Sequence, residues 1–172
     1  METIQSETVF RGRVFNVRVD KMRLPNGKIF QIDVVEHRGA VTILPIDEND
    51  DAWLIRQYRH PIEQDLIELP AGVMNVGEDP LESAQRELRE EIGMAAENLT
   101  LLGDFFLAPG YSTEQMYVFL ATGLYPAPLR PDEDENIEIV RIPVGDIMNY
   151  VKAGKIRDSK SLATLSLWRP DD

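Results

Sequence analysis

Cysteine is absent from this sequence of 172 residues, and histidine occurs only twice. Without thiols the chain can form no disulfide, no thiolate nucleophile and no cysteine-based zinc site. The two histidines, His37 and His60, are expected to be structural or surface residues. Carboxylate and carbonyl oxygens remain as metal ligands, and they suit hard cations.

Positive charge is also scarce, since 18 Lys and Arg face 30 Asp and Glu and leave a formal net charge of −12. Such a chain has no field that would hold a nucleic acid polymer or an anionic membrane surface. No apolar run approaches the roughly 18 residues of a membrane span, and the first residues, METIQSETVFRGR, are polar. We therefore expect a cytoplasmic protein that binds neither nucleic acid polymers nor membranes.

Two stretches near the start alternate apolar and polar residues, VFNVRVDKMRL at 14–24 and KIFQIDVVE at 28–36, and PNG at 25–27 makes a turn between them. They predict a β-hairpin arm over residues 1–38, ahead of a main domain over 39–172. A two-stranded hairpin is only marginally stable in water. The arm must therefore pack on the rest of the molecule or on a second copy of it.

Strands dominate the main domain, and helices flank them. Strands are predicted at 40–46, 52–58, 66–72, 99–107, 115–121 and 136–142, and helices at 80–92, 144–152 and 159–168. The acidic run PDEDENIE at 131–138 is interpreted as a solvated turn. The order of these elements predicts an α/β (α+β) fold with a mixed β-sheet.

The helix at 80–92 has clear boundary signals. Asp79 can cap it, Pro80 suits its first turn, and Gly93 can end it. Its buried stripe is predicted to contain Leu81, Ala84, Leu88 and Ile92. Glu87 and Glu91 fall at the edge of this stripe, half sheltered by the core.

These two glutamates point the same way and repel each other. A like-charged pair four residues apart costs a few tenths of a kcal/mol. Acids near the C-terminal, negative end of the helix macrodipole cost roughly 0.3 to 1 kcal/mol each. A divalent cation between them would reverse the balance, with Mg²⁺ as the first candidate, Mn²⁺ as the second and Ca²⁺ as an inert occupant. In the alternative interpretation the acids are simply solvated, and Arg86 pairs with Glu90 four residues on.

The stretch GVMNVGEDPLESAQRELREEIGM at 72–94 resembles the Nudix box, G-x5-E-x7-R-E-U-x-E-E-x-G-U, in which U is a bulky apolar residue. The matching positions are Gly72, Glu78, Arg86, Glu87, Leu88, Glu90, Glu91, Gly93 and Met94. LPAG before the box, APGYSTEQ after it and the N-terminal arm resemble the ADP-ribose pyrophosphatase branch of the family. The resemblance implies a Nudix-type α/β/α sandwich that hydrolyses a nucleoside diphosphate sugar, with ADP-ribose giving AMP and ribose 5-phosphate.

The resemblance also implies roles for individual residues. The expected catalytic set is Glu114, Glu90 and Arg86, and the expected ligands of Mg²⁺, or of Mn²⁺ in its place, are Ala71, Glu87, Glu90 and Glu91. Ala71 would contribute its backbone carbonyl, and Arg86 with Glu78 would orient the carboxylates. Glu114, in the loop PGYSTEQ, matches the position of a base or water-positioning group.

Substrate contacts are expected from Arg56, Arg59, Glu68, Pro109 and Phe15. The two arginines offer forked donors for phosphate oxygens, and Glu68 could accept from a ribose or base group. Pro109 follows Met94 by 15 residues, a spacing associated in the family with ADP-ribose pyrophosphatases. By resemblance, Phe15 or Phe10 of a partner subunit would contact the adenine, so a homodimer is expected. The alternatives are hydrolysis of another nucleotide sugar, such as GDP-mannose, or a non-catalytic Nudix-fold nucleotide sensor.

Overall fold

The N-terminal arm is a three-stranded antiparallel sheet in the computed structural model, which describes residues 1–130 and 136–168. The predicted hairpin is confirmed as β2 (Phe15–Arg23) and β3 (Ile29–His37), with Val17 opposite Val35. A third strand, β1 (Glu2–Arg11), pairs with β2 and was not predicted. The sequence of β1, ETIQSETVFR, has no regular alternation of apolar and polar residues that would mark a strand. This agrees with its position in the structure, where most of β1 is exposed.

The main domain contains two further sheets. The strands are β4 (Ala40–Pro45), β5 (Asp51–Arg59), β6 (Gln64–Glu68), β7 (Ala71–Val73), β8 (Met94–Phe106), β9 (Gln115–Pro126) and β10 (Ile137–Pro143). They form a four-stranded sheet in the order β7-β4-β9-β8 and a three-stranded sheet in the order β10-β5-β6. Only β4 and β9 pair in parallel among these named strands, so the sheet arrangement is mixed as predicted. The predicted strand at 66–72 is divided at Leu69 and Pro70 into β6 and β7.

In the described part of the chain three α-helices flank the sheets, α1 (Pro80–Glu91), α2 (Ile147–Lys152) and α3 (Ser159–Leu167). One buried cluster packs strand residues against Ala84 and Leu88 of α1, and its strand members are Val41, Ile43, Trp53 and Ile55. A second cluster packs the strand residues Leu44, Leu54 and Ile142 against Ile147 and Ile156, near α2 and α3. Successive strand residues point to opposite faces, so the two clusters lie on opposite sides of the sheets. The layers are therefore helix, sheet and helix. Most of the acidic run at 131–138 lies outside the described residues.

Helix α1 begins and ends where its sequence signals predict. The Asp79 side chain accepts a hydrogen bond from the Leu81 backbone N–H, and Gly93 follows with a φ of 70°. The prediction that Leu81 is buried is wrong, because this first-turn residue is 48% exposed. Glu87 and Glu91, predicted to be half sheltered, are only 6% and 5% exposed. The last turns of α1 thus bring two carboxylates into the protein interior. None of the described helices is long and apolar enough to span a bilayer.

Candidate active site

Arg86 connects the acidic residues of α1 with the loop before the helix. Its Nη1 donates to Glu87 Oε1 at 2.5 Å and to Glu90 Oε2 at 2.8 Å. Its Nε and Nη2 bind the two oxygens of Glu78 at 2.9 and 3.0 Å, as a bidentate pair. Nη2 also donates to the Val73 carbonyl at 3.2 Å. One guanidinium therefore holds three carboxylates and one backbone oxygen in fixed relative positions.

The Arg86 hydrogen bonds lower the pKa of Glu78 to about 2. The same bonds, first of all those to Glu78, raise the pKa of Arg86 above its ordinary value. The Asn75 backbone N–H also donates to Glu78 Oε2 at 2.8 Å, which fixes the loop that enters the helix. Arg86 thus contacts Glu78, Glu87 and Glu90, and the orienting role that the resemblance implies for Arg86 and Glu78 stays a prediction.

Gly72 leaves the space that the Glu87 carboxylate occupies. A Cβ atom at position 72 would lie 2.0 Å from Glu87 Cδ and Oε1 and 2.2 Å from Oε2. Such separations are far shorter than any van der Waals contact, so only glycine permits this packing. Gly72 lies in β7, directly opposite Val41 of β4, and the sheet therefore holds the backbone in place.

Glu91 contacts Ala71, the residue that precedes Gly72 in β7. Its Oε2 accepts a hydrogen bond from the Ala71 backbone N–H at 2.9 Å. Strand β7 therefore contacts Glu87 through Gly72 and Glu91 through Ala71. The sequence predicts that the Ala71 carbonyl is a metal ligand; the contact described at this residue involves its N–H, and the role of its carbonyl stays a prediction.

The donor set of this site fits a hard divalent cation. Glu78, Glu87, Glu90 and Glu91 carry four negative charges, and Arg86, which binds three of them, carries one positive charge. Carboxylate oxygens with a net formal charge of −3 are typical ligands for Mg²⁺ or Mn²⁺. Within the described residues no three acidic or imidazole groups already surround one metal position. Arg86 binds Glu87 and Glu90, so their carboxylates would have to turn in order to hold a metal ion.

A cleft of about 370 Å³ lies beside β7 and contains several predicted substrate residues. Its lining includes Arg59, Glu68, Ala71, Gly72, Glu114, Asp158 and Lys160. Arg59 donates through Nε and Nη2 to the two oxygens of Glu68 at 3.0 and 2.6 Å. Lys160 donates to Glu68 and, at 3.0 Å, to Asp158. Arg59 is therefore held at the cleft wall by a carboxylate that is itself only 1% exposed.

Hydrogen bonds and burial act in opposite directions on these charges. The hydrogen bond to Glu68 raises the pKa of Arg59. Burial opposes ionisation of Glu68, but hydrogen bonds from Arg59 and the charge of Lys160 outweigh it and lower its pKa. Both partners are therefore charged at neutral pH, and Glu68 is committed to positioning Arg59.

Glu114 lies in the same cleft, in the loop between β8 and β9. Its backbone N–H donates to Ser112 Oγ at 3.1 Å, and its side chain is 28% exposed. Its Oε1 is 4.0 Å from His37 Nδ1. The His37 side chain is 6% exposed and also lines this cleft, and its Nδ1 accepts from the Gly39 N–H at 3.1 Å.

Three other predicted substrate residues lie apart from the cleft. Arg56 is bonded to Glu138 at 3.1 Å and lines a different cavity, together with Tyr150. Pro109 is exposed in the loop that leads to Glu114. Phe15 is 42% exposed on the arm, and its ring centroid lies 6.3 Å from that of Phe10. Within this single chain, the structure therefore brings Arg59 and Glu68 to the cleft but not these three.

Sequence reasoning missed Asp158 and Lys160. Both residues lie at the start of α3, where Asp158 caps the helix by accepting from the Ser161 N–H at 2.9 Å. A helix was predicted from 159, so a capping role for Asp158 could have been predicted. The contact of Lys160 with Glu68 joins residues 92 positions apart, and no local pattern indicates it.

Comparison with known proteins finds family models, relatives and a solved structure that match most of the chain. The NUDIX domain model matches residues 36–165, and the model of the nucleoside diphosphate sugar hydrolase N-terminal domain matches residues 1–31. An ADP-ribose pyrophosphatase of Mycobacterium tuberculosis is 41% identical, with 94% of this chain and 80% of the relative covered. A methanol dehydrogenase activator of Bacillus methanolicus is 36% identical over 94% of this chain and 88% of the relative. A crystal structure of an ADP compounds hydrolase superimposes with a TM-score of 0.86 at 32% identity, covering 96% of this chain and 90% of that chain.

Proposed function

The chain belongs to the Nudix hydrolases, and from that premise we propose that it hydrolyses the pyrophosphate bond of ADP-ribose, releasing AMP and ribose 5-phosphate, with Mg²⁺ as cofactor. The observation that carries the proposal is the packing of β7 against α1. Gly72 and Ala71 contact Glu87 and Glu91, and Arg86 contacts Glu87. This arrangement gives every polar position of the Nudix box a defined contact or role, as expected for a catalytic member.

The residues that would hold Mg²⁺ are Glu87, Glu91, Glu90 and the Ala71 carbonyl, and Mn²⁺ would serve in its place. Bound divalent ions neutralise a pyrophosphate and lower the pKa of an attacking water. Arg86 and Glu78 keep the carboxylates within reach of one another, and loss of such supporting contacts typically reduces metal affinity 10- to 100-fold.

The cleft residues would bind and orient the diphosphate. Arg59 is fixed by Glu68 through two of its N–H donors, which orients its planar guanidinium at the cleft wall. A pre-oriented guanidinium is a suitable donor for phosphate oxygens. Glu114, which faces the same cleft, would accept the proton of the attacking water or position that water.

A homodimer would complete the substrate site. The arm exposes the apolar side chains Ile4, Val9, Phe10, Phe15, Ile29 and Ile32. A soluble chain gains free energy by covering such a surface, and a second copy is the partner always present. Phe15 of one arm would then contact the adenine in the partner's cleft, with Arg56 and Pro109 contributing from the surrounding surface.

Chromatography of reaction products tests the substrate. The purified chain is incubated with ADP-ribose, other ADP-sugars and GDP-mannose, with and without Mg²⁺, beside the Glu91→Gln variant as an inactive control. The proposal expects AMP and ribose 5-phosphate from ADP-ribose only when Mg²⁺ is present. Preferred cleavage of GDP-mannose would replace the substrate while keeping the reaction class. Tight binding of ADP-ribose without any product would instead indicate a nucleotide sensor.

A further inference from the structure

We propose that Thr113 is a positioning residue that ties the N-terminal arm to the loop carrying Glu114. The inference rests on the proposed function for its kinetic consequence, because it deepens the role given there to Glu114. The contacts involve Val35 and His37 of β3 on one side and Tyr111 and Thr113 of the loop on the other. These four residues are called the clamp.

Two backbone hydrogen bonds form the first half of the clamp. The Val35 N–H donates to the Tyr111 carbonyl at 2.7 Å, and the Thr113 N–H donates to the Val35 carbonyl at 3.0 Å. Together they make a short parallel bridge between Val35 and Ser112. The loop therefore pairs with the outer edge of β3 through one residue, Ser112.

The Thr113 hydroxyl forms the second half. It accepts from the His37 N–H at 2.9 Å and donates to the His37 carbonyl at 3.2 Å. A hydroxyl can do both at once because it carries one donor and two acceptor sites. Thr113 thereby satisfies both backbone groups of His37, the last residue of β3, on the edge of the strand that faces away from β2.

The clamp sets the position of Glu114 because Thr113 immediately precedes that residue in the chain. On the other side of Glu114, its carbonyl accepts from the Leu107 N–H at 3.1 Å, where the loop begins. The loop is thus anchored at its base by Leu107 and at its outer edge by the arm. Thr113 is exposed, so its side chain adds little to the core, and its hydroxyl is the part that matters.

The test compares three variants of the chain. Thr113→Val removes the hydroxyl and keeps the shape, Thr113→Ser keeps the hydroxyl, and Thr100→Val makes the matched change at an exposed threonine of β8. A displacement of about 1 Å at a catalytic group costs on the order of 10²-fold in rate. We expect Thr113→Val to lower kcat for ADP-ribose at least tenfold, with Mn²⁺ affinity and Tm unchanged, and both other variants to stay within twofold of wild type.

A double-mutant cycle with Glu114→Gln shows whether Thr113 acts through Glu114. If it does, Thr113→Val has no further effect on kcat in the Glu114→Gln background. An equal loss in both backgrounds, or a kcat of Thr113→Val within twofold of wild type, overturns the proposal.

Hydrogen exchange gives a readout that does not depend on the reaction. The backbone N–H groups of residues 111–115 should exchange at least tenfold faster in Thr113→Val than in Thr113→Ser or wild type. If the wild type fails to hydrolyse ADP-ribose, the proposed function is wrong. The hydrogen-exchange comparison alone then tests whether Thr113 holds the loop against the arm. Equal exchange in Thr113→Val and wild type contradicts it.

Discussion

Replacing Gly72 by alanine should displace the Glu87 carboxylate while leaving the fold in place. The added Cβ would lie 2.0 Å from two atoms of that carboxylate, whereas ordinary contacts begin near 3.4 Å, so the carboxylate must retreat by about 1.4 Å. The φ angle of Gly72 is not positive, and alanine therefore causes no backbone strain. Overpacking of this kind costs about 1 to 3 kcal/mol. The atoms that must move lie at the end of a flexible side chain, so the lower part of that range is expected.

The functional loss should be larger than the loss of stability. Glu87 is 6% exposed and is bonded to Arg86 Nη1 at 2.5 Å, so a shift of its carboxylate also disturbs the guanidinium that orients Glu78 and Glu90. A displacement of about 1 Å in a catalytic site costs on the order of 10²-fold in rate. We therefore expect kcat to fall about 100-fold and Mn²⁺ affinity to fall 10- to 100-fold.

Calorimetric titration with Mn²⁺, steady-state kinetics and thermal unfolding measure the three quantities separately. Gly145→Ala is the matched control, because a Cβ at that position has no neighbour within 4 Å and Gly145 also has no positive φ. The control should behave as wild type in all three assays. If Gly72→Ala binds Mn²⁺ with wild-type affinity and keeps kcat within twofold, Glu87 does not hold the metal and the site has been misassigned.

Three further predictions concern the carboxylates and their arginine. Arg86→Lys should lower Mn²⁺ affinity by 10- to 100-fold, because an ammonium group cannot reproduce the planar fork that spans Glu78 and Glu90; wild-type affinity in calorimetry would refute this role. The pKa of Glu78 is lowered to about 2, so its pairing with Arg86 stabilises the fold fully above its ordinary pKa of 4.5 and is lost as the pH falls through about 2. Glu78→Gln should therefore lose less stability than wild type when denaturant unfolding is repeated between about pH 5 and pH 2, and identical acid profiles would contradict the assignment. Glu114→Gln should lower kcat by about 10² or more without changing Mn²⁺ affinity; a kcat within twofold of wild type would remove Glu114 from the reaction.

The helix that carries the site could be predicted because its signals are local. Asp79, Pro80 and Gly93 act within one or two residues of the helix ends, and the observed bounds, Pro80–Glu91, differ from the predicted 80–92 by one residue. The contacts among its side chains were only partly predictable. The pair of Arg86 and Glu90 has the helical spacing of four, whereas Arg86 and Glu87 are adjacent, and adjacent residues on a helix do not normally face each other.

Predicting the substrate residues required strand boundaries that the sequence does not mark clearly. Arg56 and Arg59 are three residues apart, an odd spacing that places them on opposite faces of one strand. The predicted strand ended at 58, which left Arg59 free to point either way, but β5 continues to Arg59. Arg59 lies opposite Gln64 of β6 and reaches along that strand to Glu68, and Arg56 binds Glu138 of β10. The register of three strands therefore decides which arginine reaches the cleft.

The charge balance of the cleft explains why an acidic chain needs cations to receive an anionic substrate. Behind Ala71 and Gly72 of the cleft lining, the Nudix box carries four carboxylates and the one guanidinium of Arg86, a formal charge of −3. In the cleft lining itself Arg59 and Lys160 are matched by Glu68 and Asp158, and Glu114 adds a further carboxylate, so the lining adds no net positive charge. A diphosphate would therefore meet a repulsive cleft, although Arg59 could still orient it. Each divalent cation adds two positive charges, so one ion would bring the formal charge of the Nudix-box cluster from −3 to −1, and a second, as in two-metal hydrolytic sites, would bring it to +1.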